Sequence, residues 1–170
     1  MVKTIPLSQG QVAIVDDADF DRVSTTGGWC FTTHPGDKTG YATRSVKLGG
    51  RWTTQLLHRF VLHLKPGDLE VDCINGNGLD CRRENLRLAT HQQNLCNQGK
   101  RRGSFSSQFK GVTWDKAKGK WQAQITANYK YKGLGYFNTE LSAATAYDSA
   151  AVRLHGKFAR LNFARASGGN

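Results

Sequence analysis

Residues 72–87 read DCINGNGLDCRRENLR. Three asparagines, two aspartates, three arginines and two cysteines crowd these positions, with Ile74, Leu79 and Leu86 as core anchors. Their spacing says what chemistry is within reach. Asp72 ends LEVD (69–72), a strand-like run, and NGNG (75–78) tolerates positive φ and reads as a turn. Asn85-Leu86-Arg87 can return as a second strand, Thr90 is a good N-cap, and HQQNLCNQ (91–98) can be a helix. A hairpin followed by a helix allows Asp72 and Asn94 to converge on one hard cation. A carboxylate and an amide are oxygen ligands that suit Mg²⁺, which keeps several waters and bridges to a phosphate. A divalent ion on a scissile phosphate stabilises developing charge, the main need in phosphodiester hydrolysis.

The rest of the chain must position such a site and bring a polyanion to it. Lys and Arg number 24 against 13 Asp and Glu, a net charge of +11, which points to a polyanionic partner. The charge is uneven. Residues 1–99 hold 11 basic and 10 acidic side chains, residues 100–132 hold nine basic ones against Asp115 alone, and residues 133–170 hold four against two. Composition breaks near Gln98, and GKRRGSFSSQ (99–108) reads as a basic Gly/Ser linker carrying Lys100, Arg101 and Arg102. The start MVKTIPLSQG has no apolar signal core and no run reaches membrane length, so the expectation is an intracellular protein with no membrane partner. Cysteines 30, 73, 81 and 96 form no CxxC pair and read as reduced thiols. No heptad or dimer stripe indicates an oligomer, and a small-molecule substrate is not expected.

Upstream, QVAIVDDADFDRV reads as a short strand followed by an acidic turn, and RWTTQLLHRFVLHLKPGD as a strand leading into a short helix around Leu57–Leu64. Downstream, FKGVTWD (109–115), KWQAQITANY (120–129) and YKGLGYF (131–137) are rich in aromatic and β-branched residues and read as three strands, with Asn128 to Lys130 closing a hairpin. TELSAATAYDSAAVRLHG (139–156) reads as a helix capped by Thr139 and ended by Gly156, its alanines allowing close packing on a sheet. Such a sheet would present Lys110, Lys116, Lys118, Lys120, Lys130 and Lys132 around Trp114, Trp121 and Tyr129. Lysines would meet phosphates, and the amides of Gln122 and Gln124 could read base edges in a major groove. For Trp121 and Ile125 a core role is the simpler reading.

Two family resemblances follow. FKGV, GKWQAQI and LGYFNTELSAATAYDSAAVRLHGKFARLNF together resemble the apetala-two/ethylene-response-factor DNA-binding domain over about 60 residues. That family lays a three-stranded sheet, backed by one helix, in the major groove of double-stranded DNA. The match runs through Lys110, Gly119 to Trp121, Leu134 to Phe137 and Leu161 to Phe163. Where plant domains carry base-reading arginines this chain has Thr113, Trp114 and Gln124, so the plant target sequence does not carry over.

VDCINGNGLDCRRENLRLAT with Asn94 resembles the ββα-metal site of HNH endonucleases, particularly the phage and intron-associated homing type; LHRFVL (57–62) extends the likeness, which covers most of residues 4–97. The resemblance implies a metal-dependent DNA endonuclease of a bacterial or phage-infected cell. It makes Asp72 and Asn94 ligands of one Mg²⁺ or Mn²⁺, and Asn85 the residue that orients the general base. Arg82, Arg83 and Arg87 would support the turn or contact phosphate. The base itself belongs at position 73, where the family has histidine and this chain has Cys73. An ordinary thiol is only about 3% thiolate at neutral pH, and loss of a general base typically lowers rate by roughly 10² to 10⁴. His58 or His91 could substitute, or a metal-bound hydroxide could act unaided. A non-cutting, catalytically degenerate DNA-binding relative is therefore the alternative.

A zinc knuckle from Cys73, Cys81, Cys96 and a histidine lacks the tight pairs of structural zinc sites, and no oriented Cys–His–Asn nucleophile set is evident. A basic RNA-binding domain is a third reading, disfavoured by the likeness to a duplex reader. The expected fold is α+β: an HNH-type nuclease module over 1–98, a linker over 99–108, a DNA-binding sheet on one helix over 109–164, and a tail over 165–170.

Overall fold

The computed structural model describes residues 1–33, 39–100 and 103–163. The chain is a mixture of helices and several small antiparallel sheets, an α+β protein, and divides into two compact units, Met1–Thr90 and His91–Asn170. Arg101 and Arg102, and the expected tail, lie outside the described residues.

In the first unit β1 (Val2–Pro6) pairs with β2 (Val12–Asp16), and α1 (Asp17–Thr26) follows at once. A helix thus stands where the sequence suggests an acidic turn. Asp17 and Asp19 lie in its first turn, where carboxylates favour the positive end of the helix dipole. Phe20 and Val23 pack into the core from this helix, which turns an apparently polar run into an amphipathic one. A second sheet has the order β3 (Cys30–Thr32), β4 (Tyr41–Leu48), β5 (Arg51–Leu56) and leads into the short α2 (Leu57–Val61). The hairpin of β6 (Glu70–Cys73) and β7 (Leu86–Ala89) completes the unit. Ile5, Val15, Val23, Trp29, Leu57, Val61, Cys81 and Leu86 are among its buried core. The Ile14 backbone donates to Leu79 O and accepts from Cys81 N, both at 2.8 Å, so β2 clamps the loop between β6 and β7 to that core.

The second unit contains α3 (His91–Asn97) and the sheet β8 (Val112–Asp115), β9 (Lys120–Ala127), β10 (Lys130–Phe137), with β9 in the centre. Asn128 and Tyr129 both take positive φ, 51° and 58°, the two-residue turn that matches strand twist. α4 (Glu140–His155) lies against the sheet. Thr139 caps it by accepting from Ser142 N at 3.1 Å. Its buried Ala143, Ala144, Ala150 and Ala151 pack with Val112, Ala123 and Ile125, as close helix-on-sheet contact demands small side chains. Gly111 sits at φ 75° with the Tyr147 ring where a Cβ would stand, so only glycine fits there.

Candidate functional site

The β6–β7 hairpin places its polar side chains by register. Asp72 pairs with Arg87 across the ladder, on the same face. Arg87 Nε lies 2.6 Å and Nη2 2.5 Å from Asp72 Oδ2, in a nearly dry pair whose side chains are 14% and 3% exposed. Asn85 is buried in the loop: its Oδ1 accepts from Asn75 N at 2.9 Å and its Nδ2 donates to Asp80 O at 2.8 Å. Asp80, also buried, receives Arg82 Nε and Nη2 at 2.8 and 2.7 Å and Asn75 Nδ2 at 2.9 Å. The Arg82 guanidinium holds the Asp80 carboxyl below the usual carboxylate range. Arg83 reaches Asp19 with two nitrogens at 2.8 and 2.9 Å and Val61 O at 2.9 Å, tying the loop to α1 and α2. Arg82 and Arg83 thus brace the loop, and Arg87 braces β6 against β7.

Cys73 ends β6 and packs against the core beside Cys81. Burial, reinforced by the carboxylates of Asp72 and Asp80, pushes its thiol up to about 12. A thiol in that environment stays protonated at neutral pH and is a poor proton acceptor. His58 is buried, edge-on to Tyr41 at 5.7 Å between ring centres, and burial pushes its imidazole down to about 4. Such a weak, enclosed base is no substitute. His91 is exposed at the start of α3.

The metal implied by the resemblance can be tested against these residues. Mg²⁺ needs only one or two protein carboxylates beside water and phosphate, so the donor chemistry of Asp72 suits it. Arg87 competes for the same carboxylate, and among the described residues no three His, Cys, Asp or Glu side chains form a cluster able to hold a metal. Asp72 belongs to the first unit and Asn94 to the second.

In the second unit, the sheet turns one face to α4 and the other outward. Thr113 pairs with Gln122 and Gln122 with Tyr136, so these three share the outer face with Gln124 and Tyr131. Trp114 pairs with Trp121, rings edge-on at 5.0 Å, on the opposite face with buried Val112. Trp121 packs against the core cluster and Ile125 is buried. Lys116, Lys118, Lys120, Lys130 and Lys132 are exposed. Two lysines expected on phosphates turn inward. Lys110 Nζ donates to Cys96 O at 2.7 Å and Gln98 O at 2.5 Å, and burial pushes its ammonium down to about 8. Lys100 Nζ donates to Phe109 O at 2.9 Å.

Two outward residues escape a reading by residue type, Tyr131 and Tyr136. They are five apart and would face opposite ways on a regular strand. A bulge between Gly133 and Gly135 restores them to one face, and the glycines of YKGLGYF are its only sign in the sequence.

Residues 55–96, from the end of β5 through most of α3, match the family model for HNH endonuclease. This stretch is similar to HNH endonucleases. An uncharacterized HNH endonuclease of Acanthamoeba polyphaga mimivirus is 34% identical over 126 residues, 74% of this chain and 64% of that protein. APETALA2-like protein 2 of Oryza sativa subsp. indica is 48% identical over 64 residues, and an AP2-like ethylene-responsive transcription factor of Arabidopsis thaliana 46% over 65. These matches cover 36% and 37% of this chain, and the chain spans only 14% and 13% of those plant proteins. The matched residues include Asp72, Cys73, Asn85 and Asn94, the four positions that the sequence motif singles out. No helix among the described residues is long and apolar enough to cross a membrane.

Proposed function

We propose that this chain is a DNA-binding endonuclease of the HNH homing type, which hydrolyses phosphodiester bonds of double-stranded DNA inside a cell. The observation that carries the reading is the presence, in one chain, of a segment similar to HNH endonucleases and a lysine-rimmed sheet whose outer face bears two amides and two phenols. Lysines at the rim would hold phosphates, and the sheet would enter the major groove. Asp72 and Asn94 are the proposed ligands of Mg²⁺ or Mn²⁺, carried by the resemblance. When bound, the ion would supply Lewis-acid stabilisation of charge on the phosphate oxygens. The chain's own residues do the positioning: Arg87 fixes the Asp72 carboxylate, and Asn85 locks the loop that follows Cys73. Burial and the neighbouring carboxylates disfavour the thiolate of Cys73, so attack would be slower than with histidine at that position, by about 10² to 10⁴.

A second reading rests on the same thiol: a chain that binds DNA without cutting it. Supercoiled plasmid incubated with Mg²⁺ or Mn²⁺ separates the two, with the chain compared to its Cys73→His variant and duplex retention measured in parallel. Slow nicking that histidine accelerates is the expected result. Retention of DNA with no nicking by the parent chain would establish the non-cutting reading, and nicking restored by Cys73→His would trace the loss to position 73.

A further inference from the structure

The outer face of the second unit's sheet carries a directed hydrogen-bond relay. Gln122 Nε2 lies 3.3 Å from Tyr131 Oη and 3.4 Å from Tyr136 Oη, and Tyr131 Oη lies 2.6 Å from Gln124 Oε1. With the two amides as they stand, one assignment of protons satisfies all three; turning both amides over together reverses every bond and satisfies them equally. An amide oxygen accepts and never donates, so the Tyr131 proton goes to Gln124. The Tyr131 oxygen must then accept from Gln122, whose second N–H reaches Tyr136. The Lys118 ammonium sits 3.6 Å from the centre of the Tyr136 ring, a cation–π contact that helps to hold that ring.

The consequence is chemical. With both its N–H bonds spent on phenols, Gln122 presents its carbonyl oxygen. With its oxygen held by Tyr131, Gln124 presents its NH₂ group. Without the relay each amide could turn over alone; within it Tyr131, with one proton to give and one lone pair to offer, needs an amide oxygen on one side and an NH₂ on the other, so the two can reverse only together. We infer that Tyr131 is a specificity-determining positioning residue, which couples Gln122 and Gln124 so that the pair offers one acceptor and one donor, the acceptor at 122 and the donor at 124 in this arrangement, toward the base edges of a DNA major groove. The inference rests on the DNA-binding reading. An acceptor at 122 selects adenine N6 or cytosine N4. A donor at 124 selects purine N7, guanine O6 or thymine O4, so the pair rejects a site in which these are exchanged.

The test is selection of bound duplexes from a library of random sequence by the full chain and by its Gln122→Ala, Gln124→Ala, Tyr131→Phe and Gln124→Glu variants, each confirmed as folded by circular dichroism. The alanine variants identify the base pairs read by each amide. Tyr131→Phe, which removes one oxygen, is expected to lower preference at those same base pairs about tenfold. Its affinity for random DNA and its salt dependence should stay those of the parent, which a merely structural role for the hydroxyl would not allow. Gln124→Glu keeps an acceptor for Tyr131 but replaces the outward donor by an acceptor, and should move preference toward cytosine N4. Unchanged preference in Tyr131→Phe, an equal loss on every sequence, or an unshifted preference in Gln124→Glu would each overturn the assignment. A parent chain that retains no duplex at all would remove the DNA-binding reading itself, and the assignment with it.

Discussion

Arg87 holds Asp72 Oδ2 across the β6–β7 hairpin, with Nε at 2.6 Å and Nη2 at 2.5 Å. Removing one partner of a pair this dry takes away the charge that offsets the other's burial, a loss of about 3 kcal/mol. Arg87→Met should therefore unfold at lower denaturant concentration with an unchanged slope. The same change removes the guanidinium that competes with a cation for Asp72. Mg²⁺ should then stabilise the variant more than the parent, because an ion that binds only the folded state raises stability with its concentration. Equal response of both proteins to Mg²⁺ would show that Arg87 does not compete for that carboxylate.

Cys73 should resist alkylation. A thiol pushed up to about 12 is thiolate in only about one molecule in 10⁵ at pH 7, whereas Cys30 is exposed. Iodoacetamide at pH 7.5, followed by peptide mass measurement, should label Cys30 in the folded protein and Cys73 only after denaturation. Rapid native labelling of Cys73 would contradict its burial and reopen its candidacy as a proton acceptor.

His58 makes the first unit sensitive to acid. Its folded value of about 4 lies below the ordinary 6.5, so between these pH values the unfolded chain binds a proton that the folded chain refuses. The contribution is present above pH 6.5 and is lost as pH falls toward 4, by about 3 kcal/mol at the lower end. Asp19 and Asp80, held low by Arg83 and Arg82, release stability in the same direction but at more acid pH. Denaturation of the parent and of His58→Gln between pH 7 and 4.5 should converge as pH falls. Parallel curves would show that His58 takes up its proton in the folded protein.

The elements of the second unit were legible because local signals agree there. Thr139 and Gly156 bracket α4, and strand-forming residues alternate with turn residues from 112 to 137. In the first unit α1 was hidden by its own chemistry, since acidic residues that favour a helix start also read as a turn. The hairpin residues Asp72, Asn85 and the three arginines were identifiable by type and spacing. Their partners were not, because Arg83–Asp19 spans 64 positions and Arg87–Asp72 depends on register. The outward pair Tyr131 and Tyr136 depends on a bulge, which alternation alone cannot reveal. Lysines were counted correctly as charge but not as contacts, for direction is a tertiary property.

Lys110 is the clearest case of that difference. Its Nζ satisfies carbonyls at the end of α3, and its backbone N and O are bound by Asn162 Oδ1 at 2.7 Å and Nδ2 at 3.1 Å. Asn162 N is in turn held by Asp148 at 2.8 Å. Hydrogen bonds from a charged donor contribute about 2 kcal/mol, so Lys110→Met should lose roughly that much stability. A lysine that meets a phosphate behaves otherwise: its removal lowers the slope of log affinity against log salt by about one. Lys118→Ala and Lys120→Ala should each show that smaller slope with stability nearly unchanged. Lys110→Met should show the parent's slope at temperatures where it remains folded. Fluorescence anisotropy of a labelled duplex across a salt series measures both. A reduced slope for Lys110→Met, with α-helical content intact, would return that ammonium to the DNA and displace it from the end of α3.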